Sequence, residues 1–238
     1  MHNNSHNNGG FSTRFLAFFI PALLIVGCGE SAPNLGEDGT PAETVDTSAG
    51  EPDASGFVWQ TEQFADLKLI RYQVGGWNKL SDDQQKLAYC LTQAGLSGRD
   101  IMYDQNNRYN LRVRHMLDEA HRNFSGDRST TGWQRFHTFA KRVWFSNGIH
   151  HHYSNAKIVP ECGRPYFEYV LENSGLGADE GHAEVLDMLY DPSREAKKVE
   201  LDATQGWVES SAIHCYAPDV RTEEAHARCA SDAVGRSK

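Results

Sequence analysis

Between Gly27 and Phe57 the chain contains only two large aliphatic residues, Leu35 and Val45. No packed core can be built from such a stretch, because the apolar area it could bury does not offset its ordering entropy. It also carries seven acids (Glu30, Glu37, Asp38, Glu43, Asp46, Glu51 and Asp53) and no Lys or Arg. Mutual repulsion favours extended conformations there. Whatever folds must therefore be made from the residues that follow. The formal net charge of the 238 residues is −9, but from Phe57 onward there are 25 acids and 22 bases. The acidity is local. An overall acidic surface with no basic stripe argues against nucleic acid as a partner.

The residues before this stretch read as an address. Arg14 is the only Lys or Arg among the first 27, and the apolar run Phe15–Val26 follows it. Twelve helical residues span about 18 Å, short of a hydrocarbon core of about 30 Å. A short apolar run behind a basic residue is a secretory signal. It closes on Ile25-Val26-Gly27-Cys28, which resembles a bacterial lipobox, with lipid carried by Cys28. The alternative is an ordinary signal peptide with a chance cysteine. Four segments result: a signal at 1–27, an acidic tether at 28–56, a folded body at 57–225 and an atypical tail at 226–238. The implied location is the bacterial cell envelope, lipid-anchored on the periplasmic or outer side, with the membrane as a partner through Cys28.

The body reads as mainly α with a small β portion near the C-terminus, an α+β fold. Ser81-Asp-Asp-Gln84 is a capping box, followed by Leu87, Ala88, Leu91 and Ala94 at helical spacing and by Gly95 as a stop. Cys90 falls within this helix and reads as a small buried residue. Val113, Leu117, Ala120 and Phe124 make one apolar face of a helix over about 110–124. Another covers about 133–145, with Trp133, Phe136, Ala140, Val143 and Trp144 inward and Asn147-Gly148 as its stop. Pro165 suits the first turn of a further helix that ends at Ser174-Gly175. A shorter one carries Val185, Leu186 and Leu189 and stops before Pro192. Lys197–Leu201 and Trp207–Ile213 read as strands.

Catalytic signatures are scarce. No His-Glu-x-x-His, Gly-x-Ser-x-Gly, phosphate-cradling Gly-rich loop or Cys-x-x-Cys occurs. His150, His151 and His152 are candidates for a metal or for a cleft. Three consecutive imidazoles fan apart on either a strand or a helix, so one ion rarely collects all three. Their other reading is hydrogen bonding to a helix end. His214-Cys215 could pair as a nucleophile, or be a strand residue beside a buried thiol. Arg99, Asp100 and Asp104 read as an ion-pair network or as a substrate contact. In an oxidising compartment Cys90, Cys162, Cys215 and Cys229 could form disulfides, with three pairings open.

Three blocks then look familiar together. Phe64–Tyr72 (FADLKLIRY), Gly98–Asn107 (GRDIMYDQNN) and Lys141–Tyr153 (KRVWFSNGIHHHY) resemble, in order and spacing, the N-terminal region of the dipeptidyl peptidase III family. Tyr190-Asp-Pro192 and the stretch to about Tyr216 continue the resemblance more weakly, over about residues 60–220. The family comprises zinc metallo-exopeptidases that release dipeptides from peptide N-termini. The resemblance implies a two-lobed metallopeptidase fold, peptides as partners and zinc as the family cofactor. Zinc is held there by His-Glu-x-x-Gly-His and a downstream Glu-Glu-x-Arg-Ala-Glu segment. Neither segment occurs in this sequence, so no catalytic or zinc residue is assigned to it. The expectation is an N-terminal fragment, inactive and zinc-free alone, whose tail reflects a frameshift, an early stop or a partial gene model. The alternative is a non-catalytic surface lipoprotein that binds peptides or a partner.

Overall fold

The computed structural model describes residues 49–177, 179–213, 217 and 219–235. The signal at 1–27, Cys28, the tether as far as residue 48, and the His214-Cys215 pair lie outside the described residues. Strands β1 (Gln60–Phe64) and β2 (Leu67–Ile70) come first. Helices α1 (Asp82–Ser97), α2 (Arg99–Asn106), α3 (Asn110–Asn123), α4 (Thr131–Ser146), α5 (Arg164–Glu172), α6 (Glu180–Tyr190) and α7 (Thr222–Gly235) follow. The fold is mainly helical with a small antiparallel sheet.

The sheet sits at the front of the body, not near the C-terminus. β1 and β2 form a hairpin in which Phe64 pairs with Leu67 across the turn and Gln60 pairs with Ile70. Phe64 and Leu67 are buried, and Ala65 takes a left-handed φ of 47° to close the turn. The strands expected over 197–213 do not form. Lys197 makes one isolated bridge to Ala156, and Ala212 and Ile213 donate to the carbonyls of Lys197 and Lys198. Between them Asp202 caps a single 3-10 turn (Ala203–Gln205), and Gly206 at φ 70° redirects the chain. The alternation of side chains there was too short to propagate a ladder.

The acidic tether also ends earlier than residue 56. Gly50 donates to Gln60 O at 2.9 Å, and Asp53 Oδ1 accepts from the amides of Ser55 and Phe57. The segment from Gly50 is thus tied to β1.

α3 and α4 form the centre of the core. Val113, Met116, Leu117 and Ala120 face Trp133, Phe136, Phe139, Ala140 and Val143. Thr130 caps α4 by accepting from Trp133 N, and Asn147 in the left-handed region ends it, as its Asn-Gly signal predicts. α5, with proline in its first turn, adds Phe167, Val170 and Leu171. α6 adds Val185, Leu186, Met188 and Leu189. Each such side chain contributes about 1.5–3 kcal/mol when fully buried. Trp144 is only partly covered.

α1 differs from its expected role. Its capping box is present, with Ser81 and Gln84 each accepting from the other's amide. It runs past Gly95 to Ser97 and is capped at Gly98, yet it buries no residue. Leu87, Leu91 and Leu96 stay exposed, and so does Cys90. The helical spacing was genuine, but no element packs on that face among the described residues.

The described cysteines are unpaired: Cys90 and Cys229 are exposed, and Cys162 is buried beside Tyr190. Cys215 lies outside the described residues. The expected tail begins inside α7, which runs unbroken through residue 226. Ala225 is buried, Trp207 Nε1 donates to His226 Nε2 at 2.9 Å, and Glu209 accepts from the amide and hydroxyl of Thr222.

Candidate functional site

The C-terminal end of α4 is where distant parts of the chain meet. A helix end leaves carbonyls without intrahelical partners and carries partial negative charge. Here α2 supplies the donors. Arg99 Nη2 reaches Asn147 Oδ1 at 3.0 Å and Trp144 O at 3.4 Å. Tyr103 Oη donates to Trp144 O at 3.3 Å, and Asn106 Nδ2 to Asn147 O at 3.2 Å.

Asn110, at the start of α3 and fully buried, holds this junction from beneath. Its Nδ2 donates to Tyr103 O at 3.0 Å, and its Oδ1 accepts from Ile149 N at 2.9 Å. The arrangement explains Gly148. A Cβ there would stand 2.3 Å from Asn110 Nδ2, and its φ of 148° is one that side-chain-bearing residues rarely adopt.

The hairpin closes the other side. Lys141 forms an ion pair with Glu62 and lies 4.4 Å above the centre of the Phe64 ring. Arg142 bridges Asp66 at 3.5 Å and Glu161 at 3.3 Å. His151 Nε2 is 3.1 Å from Asp66 Oδ2.

The three consecutive histidines split: His150 is buried against Glu195, while the His151 and His152 rings stay beside each other, with centres 4.6 Å apart. His150 is buried, and its Nε2 is 2.7 Å from Glu195 O. A carbonyl can only accept, so Nε2 carries the proton. Nδ1 is then a bare lone pair, buried and without a hydrogen-bond partner among the described residues. Burial holds the His150 pKa below the ordinary imidazole value. His151 Nδ1 accepts from the amides of Tyr153 and Ser154, organising the loop that follows. His152 packs its ring near Phe145 and Tyr153, with centres 5.3 and 5.6 Å away. His150 and His151 make hydrogen bonds, but to a loop carbonyl and to loop amides rather than to a helix end. The three do not converge, and no group of three or more His, Cys, Asp or Glu side chains among the described residues is arranged to hold a metal ion.

Glu195 links this region to the later part of the chain. It adopts a left-handed φ of 51°, accepts from Asn107 Nδ2 at 2.8 Å, and pairs with Arg108 at 2.7 Å. A pocket of about 240 Å³ opens beside it, with Arg108, Glu209 and Arg221 in its wall. Lys157 ties off α6, donating to the carbonyls of Met188, Asp191 and Arg194.

The predicted network at 99–104 forms only in part. Asp100 and Asp118 both pair with Arg114, whose guanidinium lies 5.1 Å from the Tyr103 ring centre. Arg99 turns away to cap α4, and Asp104 joins neither group. The buried pair Asn107 and Asn110, with Glu195, organises the site without having been singled out from the sequence. Asn107 reads as a loop residue and Asn110 as the start of a helix, and nothing in their spacing marks them as internal.

No protein-family model matches the chain, and no curated protein matches it.

Proposed function

We propose that the body of this chain is the N-terminal portion of a dipeptidyl-peptidase-III-like zinc exopeptidase, whose family activity is release of dipeptides from peptide N-termini. In this reading it is held at a bacterial cell envelope by lipid on Cys28. Its partners are peptides and the membrane. By itself it hydrolyses no peptide and holds no catalytic zinc, since the zinc-binding segments of that family are absent from the sequence.

One observation supports the reading most. The three blocks that carry the resemblance are separated by dozens of residues, yet all three meet at the end of α4. The hairpin block contributes Asp66, the second block Arg99, Tyr103 and Asn106, and the third the helix end itself. Their assembly into one junction supports reading the three blocks together as one structural unit.

Two measurements test it. Full-length chain with added zinc is assayed for dipeptide release; no turnover above zinc alone is expected, and robust turnover refutes the inactivity. The three forward reading frames following the gene are read for His-Glu-x-x-Gly-His codons; their absence refutes the family reading.

A second reading rests on a different observation. Leu87, Tyr89 and Leu91 on α1 and Ile101 and Met102 on α2 are all at least half exposed. A non-catalytic lipoprotein that binds peptides or a partner would use such a surface. A stable, monodisperse product expressed natively at this length would favour it.

A further inference from the structure

The faces of α3 and α4 that meet near the aromatic edge of the core carry two histidines outside the junction described above. His121 and His137 have ring centres 4.9 Å apart, with planes inclined by 32°. Both rings lie nearly parallel to the indole of Trp133, at 29° and 24°, and both stand edge-on to Trp144. They are held in place by packing. Their four ring nitrogens have no hydrogen-bond partner among the described residues, unlike those of His151, which are both engaged.

We propose that His121 and His137 form a two-imidazole site for a divalent metal ion of the zinc, nickel or copper(II) class. Imidazole is the ligand these ions share, in its neutral form. With metal–nitrogen bonds of about 2.0–2.1 Å at a tetrahedral angle, two imidazole ring centres lie about 5 Å apart. The observed separation is close to that value; His151 and His152, 4.6 Å apart, come as near to it, but there both nitrogens of His151 are already engaged. Burial keeps both rings neutral, with the His137 pKa brought down to about 4. The other charged groups facing the pair are Arg128, Lys141, Asp118 and Glu62. Lys141 is neutralised by its pairing with Glu62, and Arg128 lies over the face of Trp133. Two protein ligands leave positions on the ion for water or an incoming group. Trp144 Nε1, on the indole that stands edge-on to both imidazoles, is buried without a partner among the described residues.

The site is independent of the peptidase reading. Its test is a copper(II) titration of the full chain in detergent, followed by tryptophan fluorescence, because Trp133 and Trp144 lie within 6.5 Å of both imidazoles. Saturable quenching is expected, weakening at least tenfold in His121→Phe and in His137→Phe. Phenylalanine keeps a ring against Trp133 while removing the nitrogens. The His151→Ala/His152→Ala variant should titrate like the wild type. Melting curves without metal check folding, and His121→Phe carries the test if His137→Phe does not fold. Zinc, which does not quench, should displace copper in competition. Quenching unchanged in a folded His→Phe variant, or lost in the His151/His152 variant, overturns the proposal.

Discussion

Asn110→Ala isolates the interaction that holds α2, α3 and the end of α4 together. The side chain has no exposed surface, and its two hydrogen bonds go to the buried residues Tyr103 and Ile149. Truncation leaves the buried Ile149 amide unsatisfied, at about 1–3 kcal/mol. The Tyr103 carbonyl loses one of its two donors, at about 0.5–1.5 kcal/mol, and keeps Asn107 N at 3.3 Å. Alanine recovers at most about 0.7 kcal/mol through its helix propensity. The net loss centres on about 2 kcal/mol, a large part of the about 5–15 kcal/mol available to a typical domain. For a chain of this size that lowers Tm by about 4–8 °C. The assay is urea and thermal unfolding followed by circular dichroism, with the exposed Asn123→Ala on the same helix as control. A loss below about 1 kcal/mol, or one equal to that of Asn123→Ala, would refute the view that Asn110 organises the junction.

Three further outcomes follow from the same geometry. Gly148→Ala sets a Cβ against Asn110 and should cost about 2–4 kcal/mol, read from the urea midpoint. Stability should fall as pH drops from about 6.5, the ordinary imidazole value, towards about 4, the value for folded His137. In that window the unfolded chain binds a proton that the folded one does not, so unfolding gains, while above it the contribution is fully present. His121 and His150 act in the same direction, and the slope of melting temperature against pH should flatten in His137→Phe. Finally, Cys90 and Cys229 should react with a thiol reagent in the native protein. Cys162, whose burial pushes its pKa up to about 12, should react only on unfolding; rapid native labelling of a variant retaining only Cys162 would contradict its placement.

Legibility in the sequence followed the source of each element's stability. α3 to α6 declare themselves because each lays an apolar stripe on a common core, and α4, α5 and α6 also carry a cap, a first-turn proline or a stop. The capping box of α1 was equally readable, but a local signal says nothing about whether a face will be covered. The hairpin was missed as a hairpin. Gln-Thr-Glu-Gln-Phe is too polar to look like a strand, and within the two strands only Phe64 and Leu67, astride the turn, are buried. The converse error arose at 197–213, where β-branched and aromatic residues imitate strands but serve single bridges and turns. At the site, His150 to His152 attracted notice by adjacency, although their surroundings diverge. Asn107, Asn110 and Glu195 act through long-range hydrogen bonds that leave no periodic trace.

The absence of any buried side chain on α1 sets a hierarchy of opening within the molecule. Helix–coil exchange in such an element runs on a microsecond scale, and its amides trade hydrogen with solvent at a small fraction of the global unfolding free energy. A protease should therefore enter between Leu87 and Ser97 while the core of α3 to α6 remains intact. The cut would not release the hairpin, since Glu62 and Asp66 stay bound to Lys141, Arg142 and His151. The nicked chain would migrate as two fragments on a denaturing gel and as one particle in native buffer.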